Sequence, residues 1–308
     1  MTQKSALITG GTGFIGSNLT KRLIQLNWEV SLIVTAFAKL DSIKDVLGQV
    51  HLYKHNGSSE QLISIVKKAK PEIVFHLAAL FLAQHKVGDI KPLVGSNVLF
   101  GNQVLEAMTK NKVYKLINTG TSWQHFGNQD YNPVCLYAAT KQAFEAILNF
   151  YIETTPLKAV TLKLFDTYGC HDQRPKLFNV LNKAAKDGKP LDMSPGNQLL
   201  DLVYVDDIID AYLLIAKKLL SGKIKDYKEY AVSSGRPKKL KEVVKIYEHI
   251  LGKKLPVKWG GRSYRQREIF LPWTKGKLIP GWKPKVTLNE GIRKIVEEIQ
   301  DEESMILR

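Results

Sequence analysis

The stretch Ala6-Leu7-Ile8-Thr9-Gly10-Gly11-Thr12-Gly13-Phe14-Ile15-Gly16 decides how this chain of 308 residues is read. Ala6 to Thr9 is a short apolar run ending in glycine, the pattern of a buried strand. Ser17 to Leu26 follows as a helix, with Leu19, Leu23, Ile24 and Leu26 on its apolar side. Strand, Gly-x-x-Gly-x-x-Gly and helix in that order is the context that gives a glycine motif its meaning. Gly10 and Gly13 let the backbone turn tightly against a pyrophosphate. Gly16 lets the helix pack close to the strand, and the helix N-terminus faces the anion. The stretch predicts a dinucleotide site contacted by Gly10, Thr12, Gly13, Phe14, Ile15 and Gly16.

Outward from there the pattern repeats. Glu29 to Thr35 is a second strand, alternating and β-branched. An acid at its end would take the 2′-hydroxyl of NAD, but the chain has Thr35-Ala36-Phe37-Ala38 with Lys39 the nearest cation. NADP(H) is therefore favoured, with NAD(H) possible. Strands are predicted at Val50 to Tyr53, Glu72 to Ala78, Tyr114 to Asn118 and Lys158 to Phe165. Helices are predicted at Ser59 to Ala69 and at Val94 to Lys110, the latter carrying Asn97 near its start. Another run begins after Pro133 and continues through Tyr151. Such alternation implies an α/β fold with a doubly wound, mostly parallel sheet and right-handed crossovers.

The pattern changes after Phe165, with Asp166-Thr167-Tyr168-Gly169 leading into a polar turn with Arg174 and Lys176. The expected organisation is a dinucleotide-binding domain over 1–165, joined by roughly 197–222. A smaller substrate domain would comprise 166–196 and 223–308. A capping box, Thr287 to Glu290, opens a final helix.

Composition excludes several classes. The mean hydropathy of −0.16 and the lack of a long apolar run argue against a membrane span. No signal-peptide architecture precedes the glycine motif, and Cys135 and Cys170 are too few for a disulfide framework or metal site. A reducing cytoplasm and no metal are expected. The net charge is +16, and residues 223 to 285 hold 18 Lys or Arg against 5 Asp or Glu. That excess fits a solvated face, steering of an anionic small molecule, or a nucleic-acid surface; without interleaved aromatics the last is disfavoured.

Inside the helix after Pro133 lies Tyr137-Ala138-Ala139-Thr140-Lys141. A spacing of four puts phenol and ammonium on one face. A free tyrosine titrates near ~10, and a neighbouring Lys⁺ is expected to draw that value toward neutrality. The pair is a surface contact or a proton-transfer site, depending on the rest of the chain.

Taken together, TGGTGFIG at 9–16, HLAA at 76–79, Asn97-Val98 with Gly101, the Ser122 region, YAATK at 137–141, FDTYG at 165–169 and VYVDD at 203–207 resemble the extended short-chain dehydrogenase/reductases. This is the nucleotide-sugar epimerase, dehydratase and reductase group, and the resemblance spans almost the whole chain. The strings GTSWQH, LYAATKQAFE, LFDTYG and MSPGNQ are most similar to 4-ketosugar reductases of the CDP-abequose type. The resemblance implies Tyr137 as proton donor, Lys141 as holder of the nicotinamide ribose, and Ser122 or Thr121 as donor to the substrate oxygen. As a plainer alternative, Ser122 caps a turn. Leu77, Ala78, Ala79, Asn97, Phe165 and Thr167 are expected cofactor neighbours, with Asn56 and Gly57 toward the adenine. Asn97 either positions Lys141 through water or caps its helix. A nucleoside-diphosphate sugar, CDP-linked by preference, is the implied substrate, and a homodimer through the Val94 and Tyr137 helices the implied assembly.

Departures from the group narrow the chemistry. Dehydratases place Asp-Glu after the catalytic Ser or Thr, where this chain has Trp123-Gln124. Asp166 stands where Asn is usual, and Leu200 where Arg is usual before Asp201. Asn56 stands where an adenine-contacting Asp is common. A diphosphate clamp is then expected from Arg174, Lys176 and Arg265, each also explicable as a surface charge. Substrate contacts would include Ser122, Trp123 and Asp166. Reduction of a 4-keto sugar is expected, with 4-epimerisation and non-catalytic nucleotide sensing as alternatives.

Overall fold

β1 (Ser5–Thr9) sits inside a seven-stranded sheet, and its residues Ala6 to Thr9 are buried as the apolar run requires. The computed structural model describes residues 3–306. In chain order follow α1 (Phe14–Gln25), β2 (Glu29–Thr35), β3 (Val50–His55), α2 (Ser59–Ala69), β4 (Ile73–His76) and α3 (Ile90–Val94). Then come α4 (Phe100–Lys110), β5 (Lys115–Thr121), α5 (Leu136–Thr154), β6 (Lys158–Leu164), β7 (Asp166–Tyr168), α6 (Leu177–Asp187) and β8 (Leu191–Met193). The rest are β9 (Leu199–Leu200), β10 (Leu202–Tyr204), α7 (Val205–Leu220), β11 (Lys228–Val232), β12 (Lys238–Lys239), α8 (Leu240–Leu251), β13 (Val257–Trp259) and α9 (Leu288–Ile306).

The main sheet has the order β11-β6-β5-β4-β1-β2-β3, and every pairing in it is parallel. One hydrophobic cluster joins its inner strands to α1 and α7 through Leu19, Leu23, Ile208 and Tyr212. The other joins it to α2, α4 and α5 through Leu62, Val104 and Phe144. Helices on both faces make it the expected doubly wound α/β sheet. Among the described residues no helix is long and apolar enough to cross a membrane.

Several boundaries differ from expectation: α1 begins at Phe14, not Ser17, and β4 spans Ile73–His76 within the expected Glu72 to Ala78. β11 is the sheet's edge strand, paired along β6 from Lys228↔Val160 to Val232↔Leu164. Residues 228–232 therefore belong to the cofactor-side sheet, not to the smaller lobe predicted for 223–308; burial rises along the strand from exposed Lys228 to buried Ala231 and Val232. β5 runs to Thr121, not Asn118, because Gly120 and Thr121 still pair with Lys163 and Leu164. Helical backbone begins at Ile90, not Val94, and passes through a π-turn at Gly95–Leu99 into α4. The extra turn arises where the buried Asn97 side chain binds outside its own helix.

β8 and β13 pair in parallel, and Phe178 of α6 meets Tyr247 of α8, building the smaller lobe beside the sheet. α9 starts with the predicted capping box: the Thr287 N–H donates to Glu290 at 2.8 Å, and the Glu290 N–H returns to Thr287 Oγ1 at 3.3 Å.

Candidate active site

The carboxyl ends of β1, β4, β5 and β6 converge, the place where open parallel sheets take ligands. At the first, Gly10 has φ +73°, and a Cβ there would lie 2.7 Å from the Ala78 nitrogen. A Cβ on Gly16 would collide with the Gly10 carbonyl. This cradle admits only bare backbone, which is how a pyrophosphate site is made. Thr9 Oγ1 accepts the Ala78 N–H at 3.2 Å and shares a 2.8 Å hydrogen bond with His76 Nδ1. The Leu77-Ala78-Ala79 segment is thereby fastened to the end of β1. Burial, helped by the charge of Lys141, pushes His76 down to about 3, so the ring is neutral.

Thr35 and Lys39 are exposed beyond β2, where an adenosine ribose would lie. Asn56 and Gly57 are exposed beyond β3. Asn56 Oδ1 accepts the Ser58 N–H at 3.0 Å, and the Asn56 N–H donates to Gln61 at 2.6 Å. Its side chain thus shapes the entry to α2.

The chemistry-bearing side chains gather around a cavity of about 750 Å³ lined by Ile15, Leu77, Ala79, Thr121, Trp123, Tyr137, Lys141, Phe165, Asp166 and Thr167. α5 starts at Leu136, so Tyr137 lies in its first turn and Lys141 one turn later. The Lys141 side chain is buried, and its Nζ has no hydrogen-bond partner among the described residues. Burial lowers it to about 8; Glu145 opposes that shift and Lys163 adds to it. The expectation that Lys141 draws the phenol down is corrected here. Burial pushes the Tyr137 phenol above its ordinary range, Cys135 adds to that, and the opposing cation is Arg174.

Thr121 and Ser122 divide the space. Thr121 lines the main cavity, and its Oγ1 accepts the Trp123 N–H at 3.2 Å. Ser122 lines a small adjoining cavity that shares Trp123, Phe165 and Asp166 with the first. Asn97 does not cap a helix. Its Oδ1 accepts the Leu80 N–H at 2.7 Å, and its Nδ2 donates to the Leu80 carbonyl and to Thr140 Oγ1. It pins the segment after Ala79 against α5.

The three predicted cations are not equivalent. Arg174 forms a two-pronged pair with Asp172, at 2.7 Å on each oxygen, and lies over the Phe14 ring. Arg265 is paired with Glu268 at 2.9 Å and lies over Trp123. Lys176 Nζ stands 3.7 Å from the Phe81 ring centroid, with no carboxylate within ion-pair distance among the described residues. Burial lowers its pKa; Asp166 opposes this, while Arg174 and Arg265 reinforce it. Asp166 is pushed up by burial and held back by those same cations, with Asp201 adding to the rise. Arg174 and Arg265 are each matched by their own carboxylate, so of the three cations Lys176, acted on by Asp166, is the one without an ion pair among the described residues.

Sequence reasoning missed Phe81, which meets Tyr137 edge to face and Trp123 at 5.4 Å. Nothing in its local pattern separates it from a loop hydrophobe. It also missed Trp273, whose ring stacks 3.8 Å from His125 and brings the 265–275 loop against the Ser122 turn. Glu145 was missed as well, although it falls at the next four-residue step after Tyr137 and Lys141.

The description "NAD dependent epimerase/dehydratase family" matches residues 6–230. The chain is 28% identical to a CDP-abequose synthase of Yersinia pseudotuberculosis, over 91% of this chain and 95% of that one. Among solved structures it is similar to a UDP-glucose 4-epimerase of Thermotoga maritima with UDP-glucose, with a TM-score of 0.83, 26% identity and coverage of 97% and 99%. A UDP-glucose 4-epimerase of Thermus thermophilus in complex with NAD gives 0.80, at 25% identity over 96% and 99%.

Proposed function

Because the chain belongs to the NAD-dependent epimerase/dehydratase family, an extended short-chain dehydrogenase/reductase, we propose that it reduces the C4 ketone of a nucleoside-diphosphate 4-keto-6-deoxy or 3,6-dideoxy hexose. NADPH is the proposed reductant and CDP the favoured carrier. The observation that carries this reading is the turn after β5. Elimination across C5 and C6 needs an acid and a base beside the hydroxyl donor, and the chain supplies Trp123 and Gln124, both buried. Gln124 is held at both ends of its amide, by the Thr121 N–H and by Gln142 and Glu145. One proton donor at one carbonyl remains, which is the requirement of reduction.

The glycine cradle and the buried ammonium of Lys141, without a hydrogen-bond partner among the described residues, fit a nicotinamide dinucleotide. When bound, it supplies a hydride to the ketone carbon. Tyr137 delivers a proton to the oxygen as charge develops there. Thr121 or Ser122 donates a hydrogen bond to the same oxygen, as a preorganised donor. Lys141 would hold the ribose hydroxyls, and Arg174 is the cation that favours the phenolate left behind. Lys176 and Arg174, which line the cavity, face the diphosphate, with Arg265 set over Trp123. Thr35 in place of an acid leaves room for a 2′-phosphate, and Lys39 lies close in sequence to bind it. Leu99 and Phe150, exposed large apolar side chains beside and on the α4 and α5 helices, suit the homodimer proposed through those helices.

The likeness to UDP-glucose 4-epimerases favours a second reading, 4-epimerisation with retained NAD. Incubation with NADPH and CDP-, GDP-, UDP- and dTDP-linked 4-ketosugars separates them. Net cofactor oxidation supports reduction, and turnover without it supports epimerisation.

A further inference from the structure

Behind the cavity lies a charged network that the reaction does not use directly. Glu145 follows Lys141 by four residues on α5, as Lys141 follows Tyr137, so the three share one face. Its side chain is 2% exposed. Oε2 accepts from Lys163 Nζ of β6 at 2.8 Å and from Gln124 Nε2 at 3.1 Å. The other end of Gln124 accepts the Thr121 N–H at 3.0 Å, closing the turn that carries Thr121 and Ser122. Glu145 Oε1 is buried without a hydrogen-bond partner among the described residues. It lies 2.9 Å from where a Gly120 Cβ would be, so only glycine at 120 leaves it room.

A buried ion pair is a poor way to gain stability, since well-packed apolar residues serve as well or better. This one is also placed between the helix bearing Tyr137 and Lys141 and the turn bearing the hydroxyl donors. We propose that Glu145 is a positioning residue of the site: with Gln124 it locks the Thr121–Ser122 turn to α5, and with Lys163 it balances the charge around Lys141. The proposal rests on the reading of Tyr137 and Lys141 as the proton-transfer pair.

The groups around Lys141 can be named element by element. α5 contributes Tyr137 and Glu145, β6 contributes Lys163, and β4 contributes neutral His76. Lys163 is shared with Glu229 of β11 at 3.6 Å, and Glu229 accepts from the Tyr227 hydroxyl. Glu145 is thus the negative charge acting on Lys141, and Lys163 the cation that offsets it. Removing one or the other shifts Lys141 in opposite directions, which damage to packing does not do.

The test is a lysine ¹³Cε NMR titration of the full-length protein without ligand, with the Lys141 signal identified by its loss in Lys141→Met. In Glu145→Gln, which keeps the shape and the Gln124 contact, the Lys141 midpoint falls by about one pH unit or more. In Lys163→Met it rises. Gln124→Leu leaves the midpoint in place and lowers turnover about tenfold with KM for the cofactor unchanged. An unmoved midpoint in Glu145→Gln, or a fall in Lys163→Met, overturns the charge assignment. Full turnover in Gln124→Leu overturns the positioning one. Should Glu145→Gln not fold, the sign in Lys163→Met decides. The titration needs no sugar, so failure of the reductase reading shows separately as absence of NADPH oxidation.

Discussion

Phe81 and Tyr137 meet edge to face, with ring centroids 4.9 Å apart and planes at 76°. Phe81 is also the platform for the Lys176 ammonium, so one ring touches both the proposed proton donor and the cation without a carboxylate. Phe81→Ala removes a shield from the phenol and a seat from the lysine. Phe81 is 37% exposed, so thermal stability should change little. Catalytic efficiency should fall about tenfold, because misplacing reacting groups costs far more than the lost contact. Melting curves and steady-state kinetics on the same preparation check both halves.

Tyr137→Phe removes the phenolic oxygen and nothing else. General acid catalysis contributes roughly 10²–10⁴ in rate, and turnover should fall by that much. Cofactor binding should hold within a few-fold, because Lys141 and the glycine cradle are untouched. A variant as active as the parent would move the protein to the nucleotide-sensing alternative.

Gly10→Ala tests the cradle. The substitution forces a side chain onto φ +73° and onto the Ala78 nitrogen, at a cost of about 1–3 kcal/mol. Chemical denaturation should show that loss. Titration with NADPH should show binding abolished, since the Cβ drives the Leu77–Ala78 backbone away from the end of β1 and distorts the glycine turn.

His76 makes stability depend on pH. Its folded value, about 3, lies below the ordinary 6.5. Between those limits the unfolded chain binds a proton that the folded one refuses. Stability is full above pH 6.5 and falls as the pH drops toward 3, by up to about 1.4 kcal/mol per unit. Lys141 acts at the other end. Folded at about 8 against an ordinary 10.5, it makes the ligand-free protein gain stability as the pH rises between those values. Urea denaturation from pH 4 to 10 reads both slopes. In His76→Asn the acid slope should flatten, and in Lys141→Met the alkaline one.

Much of this was legible in the sequence because backbone geometry announces itself. Ala6 to Gly16 specified strand, turn and helix through residues that allow nothing else, and the Tyr137, Lys141 spacing needed only a helix to bring both into one cavity. Contacts between distant segments were not legible. Phe81 is an ordinary loop aromatic until the chain folds it onto Tyr137, and Trp273 becomes a wall only against His125. The strand at 228–232 was hidden because an edge strand is half polar, so Lys228 and Glu229 read as surface. Arg174 and Arg265 were legible as cations, but their carboxylate partners were not, and only the fold separates them from Lys176.

On the proposed reading, one proton from Tyr137 and one hydride from the cofactor reach a sugar ketone in this site. The most direct test is the absorbance of NADPH at 340 nm during incubation with a CDP-4-keto-6-deoxyhexose or 3,6-dideoxyhexose. Stoichiometric loss of NADPH with appearance of a 4-hydroxy sugar is expected, abolished in Tyr137→Phe. Interconversion of 4-hydroxy sugars with no net change in cofactor would contradict it.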